Sequence, residues 1–139
     1  MNRDYELIEH TADIGVRVRG TDLKFLFRNA AAAMFDIIVG GQRKTGGAKK
    51  EITVRQQGQN REELFINWLN ELLSLSSAKG VIFSGFKIKK LDETSLEADV
   101  TGADIAGYKG ITEIKAATYH GLKLEELKSG WQVEVIFDV

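Results

Sequence analysis

The chain of 139 residues has no cysteine, no proline, only two histidines and almost no net charge. Without cysteine there can be no disulfide framework, no thiolate zinc site and no cysteine nucleophile. With His10 and His120 alone, a zinc centre of three histidines is excluded as well. The lack of proline removes slow X-Pro isomerisation from folding and leaves the turns to 14 glycines. Nineteen basic side chains against 20 acidic ones give a net charge of −1, so no global field attracts nucleic acid or an anionic membrane, and any RNA contact would need a local patch. The longest apolar stretches, residues 30–35 and 64–75, are broken by polar residues and fall short of the ~20 that a membrane span needs. The N-terminal residues carry no apolar signal core, so a cytoplasmic protein without membrane contact is expected.

What is present fits one globular domain over residues 1–139, since 43% hydrophobic residues supply a core without covalent help. Residues 5–10 and 14–19 read as strands, the second alternating Val16 and Val18 with Arg17 and Arg19. Thr21 or Asp22 can cap a helix over about 22–39, with an apolar stripe at Leu23, Leu26, Phe27, Ala30, Met34 and Ile38 that stops at Gly40 and Gly41. The polar, basic stretch 43–50 reads as a loop before a strand at 51–56. Asn60 and Glu63 form a capping-box-like start to a second helix over about 61–79, which Gly80 ends. Its apolar residues cover most of the circumference, and Glu63, Asn67, Asn70, Glu71 and Ser74 form one polar stripe. Strands are expected at 81–90, 94–101, 111–119, 122–127 and 131–139, joined by short turns. The pattern is α+β: a two-layer domain of mostly antiparallel sheet with two main helices.

Two acidic residues stand out. Asp13 lies in the break between the first two strands, and Asp138 lies next to Val139 at the end of the last one. Aspartate in a connection is usually a turn former, but aspartate inside a strand is disfavoured, so Asp138 asks for a ligand or a partner. Alternation along the last strand puts Trp131, Val133, Val135 and Phe137 on one face and Asp138 on the other. If the two ends of the sheet meet, Asp13, Asp138 and the terminal carboxylate of Val139 offer oxygen ligands suited to Ca²⁺, Mg²⁺ or Mn²⁺. His10 is a candidate for orienting Asp13 rather than for ligation. Glu71 is either the solvated side of the second helix or part of a polar network reaching the ion. Lys115 and Tyr119 are expected on one strand face, as phosphate contacts or as ordinary surface. No Gly-x-Ser-x-Gly elbow, Walker loop or dinucleotide fingerprint is present.

At these residues the chain resembles the archease family. The resemblance is carried in order by His10-Thr11-Ala12-Asp13-Ile14-Gly15, by Leu26 to Asp36 in the first helix, by Asn67-Trp68-Leu69-Asn70-Glu71 in the second, by Ile114 to His120, and by the terminal Phe137-Asp138-Val139. It implies a non-catalytic helper of an RtcB-type RNA ligase, promoting guanylylation and multiple turnover in tRNA splicing or RNA repair. It also implies a metal site at Asp13, Asp138 and Val139, with His10, Glu71, Lys115 and Tyr119 as weaker supporting or partner-contact positions. By this resemblance RNA and GTP are met only through the ligase. Two other classes compete: a general chaperone or assembly adaptor acting without metal, and a metal-dependent phosphoesterase, which the lack of a general base beside a second metal disfavours.

Overall fold

The structure, a computed structural model, describes residues 5–8, 13–43 and 49–139. The element order is β1 (Tyr5–Ile8), β2 (Ile14–Gly20), α1 (Leu23–Ile38), β3 (Lys50–Gln57), α2 (Arg61–Lys79), β4 (Val81–Leu91), β5 (Ser95–Asp104), a 3-10 turn (Ile105–Gly107), β6 (Ala116–Leu127) and β7 (Gly130–Asp138). The strands form two antiparallel sheets, a four-stranded one in the order β1-β2-β7-β6 and a three-stranded one in the order β3-β5-β4. This is the α+β architecture expected from the sequence, and each helix packs on both sheets.

Local chemistry fixes the helix ends. The Asp22 carboxylate accepts from the Phe25 amide at 2.8 Å and so starts α1. At α2 the Asn60 side chain accepts from the Glu63 amide at 2.8 Å, while Glu63 reaches back to accept from the Gln59 amide at 3.2 Å. One orphan donor inside the helix and one just before it are thereby satisfied. Between the two sheets lies an aromatic core in which Phe27 meets Phe65 edge-on at 5.2 Å and Phe35 meets Phe83 edge-on at 5.6 Å. The fully buried Trp68 donates its indole N–H to the Phe27 carbonyl at 3.0 Å, tying the two helices together. No helix among the described residues is long and apolar enough to cross a membrane.

In two regions the chain departs from the sequence reading. Residues 111–115 are not a strand, because their backbone groups bond to unrelated elements: the Thr112 amide to the Ile38 carbonyl at 2.9 Å and the Lys115 amide to the Asp138 carbonyl at 2.7 Å. The segment is a strap from the end of α1 to the end of β7, and the ladder of β6 begins only at Ala116. The bend expected at His120 and Gly121 is not a break between strands. It lies within β6, where the register to β7 shifts between Thr118 and Lys123 and Gly121 adopts φ +64. Of the first strand Tyr5–Ile8 is described, and His10 lies outside the described residues.

Candidate functional site

The site expected at the two aspartates depends on which strands are neighbours. β2 and β7 are adjacent and antiparallel, with Ile14 opposite Phe137, Val16 opposite Val135 and Val18 opposite Val133. These pairs bury their side chains against the helices. The alternate pairs, Gly15 with Ile136 and Arg17 with Glu134, occupy the outer face. The ladder ends at Ile14 and Phe137, so Asp13 is the residue just before β2 and Asp138 the last of β7, at the same end of the sheet. On its other side Asp138 is paired with Ala116 of β6. Asp138 and Val139 are exposed and Asp13 is partly buried, so the carboxylates stand at an open end of the sheet.

Three contacts hold this end in place. The Lys115 amide donates to the Asp138 carbonyl at 2.7 Å and keeps the last strand from fraying. The Thr118 hydroxyl donates to the Ile136 carbonyl at 2.9 Å. Below them, Asn70 of α2 clamps Ala117: its amide nitrogen donates to the Ala117 carbonyl at 3.1 Å, and its carbonyl accepts from the Ala117 amide at 2.8 Å. One side chain therefore satisfies both backbone groups of a buried residue, as a neighbouring strand would.

The supporting positions divide. Lys115 joins the site through its backbone, and its side chain is exposed. Tyr119 lies farther along β6 and is 55% exposed; partial burial, and then the Glu63 carboxylate, push its hydroxyl above the ordinary phenol range. Glu71 does not turn to the aspartates. It accepts from the Gln56 side chain at 2.6 Å and so binds α2 to the three-stranded sheet. Asn70, its neighbour on the same polar stripe, supports the tip instead. The signal for it was an amide side chain, able to donate and accept at once, on the polar stripe of an otherwise leucine-rich helix.

Two rows away on the outer face, Arg17 is engaged by Glu134 at 3.2 Å and Glu6 at 3.1 Å, and the Glu134 hydrogen bond raises its pKa further. Among the described residues no group of three or more histidine, cysteine, aspartate or glutamate side chains gathers that could hold a metal. Asp13 and Asp138 are the acidic residues at this end of the β2–β7 pair.

Known proteins share this sequence pattern and fold. Residues 5–139 match the Archease protein family (MTH1598/TM1083). The protein archease of Pyrococcus furiosus is 36% identical over 143 residues, covering 99% of this chain and 99% of that protein, and that of Methanosarcina acetivorans is 34% identical, covering 99% and 97%. The solution structure of Methanobacterium thermoautotrophicum protein 1598 superposes with a TM-score of 0.79 at 29% identity, covering 99% of this chain and all of that one. The crystal structure of a Thermotoga maritima archease, described as a possible chaperone, superposes with a TM-score of 0.67 at 30% identity over 95% of this chain and 94% of that one. An α+β fold of two helices and two antiparallel sheets, with matches along its whole length, makes this chain a member of the archease family.

Proposed function

We propose that this protein is a non-catalytic activator of an RtcB-type RNA ligase, and that Asp13 and Asp138 form a metal-bearing tip which it offers to the ligase. The observation that supports the reading is the β2–β7 register, whose last pair, Ile14 with Phe137, leaves Asp13 and Asp138 at the same exposed end of the sheet. Two carboxylates facing each other repel, and a divalent cation between them relieves that repulsion. In this reading Asp13, Asp138 and the Val139 carboxylate hold Ca²⁺, Mg²⁺ or Mn²⁺, and the ion supplies positive charge for nucleotide phosphates in the partner's pocket. The chain's own residues keep the tip rigid: Asn70 and the Lys115 amide fix the strands that bear the carboxylates. His10 orients Asp13 in the same scheme. Lys115 and Tyr119, both exposed, contact the ligase, whereas Glu71 has a structural task at Gln56. The setting is cytoplasmic RNA joining, in tRNA splicing or RNA repair.

The test is single-turnover guanylylation of the cognate ligase under limiting Mn²⁺, with and without this protein. Stimulation is expected from the wild type and is expected to fall at least tenfold in Asp13→Ala and in Asp138→Ala, about 1.4 kcal/mol or more. Cooperative thermal unfolding should persist in both. Undiminished stimulation by both variants would remove the carboxylates from the mechanism. A chaperone or adaptor reading draws on the exposed Leu7 and Phe25; it predicts that both variants still suppress aggregation of a client protein.

A further inference from the structure

At the end of β2 and β7 opposite the aspartates, a cleft of about 480 Å³ opens between the β2–α1 turn, the first turns of α1 and the β6–β7 hairpin. Its floor is bare backbone. A Cβ on Gly130 would fall 2.5 Å from the Gly20 carbonyl, and one on Gly20 would fall 2.4 Å from the Leu26 amide nitrogen, so neither position admits a side chain without movement. The cleft is therefore formed by packing.

Its walls bring together two aromatic rings and two guanidinium groups. Phe25, 47% exposed on the side of α1 away from the core, has the Arg28 guanidinium 5.9 Å from its ring centroid. Across the floor stands the half-buried Trp131; the Arg61 guanidinium, 5.0 Å from its ring centroid, is not part of the cleft lining and pairs with Glu93 at 3.3 Å. Arg19 lines the cleft with its Nε donating to Gln132 at 2.9 Å, and its nearest recorded carboxylate oxygen, on Glu6, is 3.9 Å from a terminal nitrogen. Among the described residues no carboxylate pairs with Arg28. The charged residues lining the cleft are Arg19 and Arg28, without one Asp or Glu, in a chain that has 20 of them. Here is the local basic patch that a net charge of −1 conceals.

A ligand that matches must alternate planar rings with anionic groups. An apolar peptide would leave the guanidinium groups unanswered, and an acidic peptide would leave the rings unused. A single-stranded nucleic acid supplies a base for each ring and a phosphate for each arginine. We propose that this cleft binds a segment of single-stranded nucleic acid, with bases stacked on Phe25 and Trp131 and phosphates paired to Arg28 and Arg19. The nine residues of β7 separate the cleft from Asp138 by roughly 30 Å at ~3.4 Å per residue, so a strand can be held here while the other end of the protein is occupied.

The experiment is fluorescence anisotropy of the full chain with a labelled single-stranded RNA of roughly ten nucleotides, at about 50 and about 200 mM salt. The expected result is saturable binding that weakens with salt and weakens about tenfold in Phe25→Ala and in Arg28→Ala. The same RNA as a duplex, or a free mononucleotide, should bind more weakly, since neither offers successive unstacked bases to both rings. A Lys49→Ala/Lys50→Ala double variant, altered at two exposed lysines outside the cleft lining, should bind as the wild type does. Phe25 and Arg28 are exposed, so circular dichroism should show all variants folded. Absence of saturable binding by the folded wild type overturns the assignment and leaves the cleft to a protein partner. Equal binding by wild type, Phe25→Ala and Arg28→Ala overturns it as well.

Discussion

The two ends of the β2–β7 ladder are built by different means. At one end, the β2–β7 pairing brings Asp13 and Asp138 to the same edge of the sheet, where Asn70 and the Lys115 amide pin β6 and β7. At the other, Gly20 and Gly130 pack backbone against backbone and leave a cleft walled by arginine and aromatic rings. The first arrangement needs accurate positioning of a few atoms, which a hydrogen-bonded ladder provides. The second needs shape and exposed rings, which close packing provides. One sheet thus presents an acidic end and a basic end, and the two are separable by mutation.

The largest expected effect is at the cleft floor. Gly130→Ala puts a Cβ 2.5 Å from the Gly20 carbonyl at φ +141, and should lower stability by about 3 kcal/mol in urea unfolding. Protein that remains folded should still bind Mn²⁺ at the tip. A variant as stable as the wild type would show that the two ends do not differ in the way described.

A smaller effect should come from the clamp under the tip. Asn70→Ala leaves the Ala117 amide and carbonyl without their partner and should cost about 1–3 kcal/mol. Mn²⁺ binding should weaken with it, while oligonucleotide binding at the far end stays at the wild-type level. Loss of both together would mean that the ends are coupled through α2.

The smallest effect concerns neither end. On the three-stranded sheet, Lys89 bonds the Glu97 carboxylate at 3.1 Å and Thr53 bonds Asp99 at 2.9 Å, and these hydrogen bonds are the main cause that holds both carboxyls below the ordinary range. Because the folded pKa values are lowered, the unfolded chain binds more protons as pH falls. The contribution is complete above the unfolded range near 4 and is lost as pH drops through the folded values. The urea midpoint should therefore decline modestly below about pH 4, and Lys89→Met should flatten that decline.

Much of this was legible from local pattern. The stop at Gly80, the caps at Asp22 and Asn60, and the burial of Val133, Val135 and Phe137 with Asp138 on the opposite face all follow from periods and capping chemistry within a few residues. What was not legible depends on contacts between distant segments. Residues 111–115 hold β-branched Ile111, Thr112 and Ile114 and run straight into β6, but the Thr112 and Lys115 amides bond to Ile38 and Asp138, and no local signal marks those partners. The polar stripe of α2 was readable, yet which member meets which sheet depends on how the helix is rotated: Glu71 meets Gln56 and Asn70 meets Ala117. Phe25 falls outside the apolar stripe of α1, while its setting beside Trp131 and Leu127 comes from the β6–β7 hairpin, a hundred residues away in the chain. The pairing of β2 with β7 is the same kind of long-range fact, and it is the one on which the acidic end depends.

The most direct test of that end is a Mn²⁺ titration followed by electron paramagnetic resonance on the wild type, Asp13→Ala and Asp138→Ala. A shared site predicts one ion bound by the wild type and at least tenfold weaker binding in each single variant, because either loss removes one of the two facing carboxylates. Unchanged Mn²⁺ binding in both variants would contradict it.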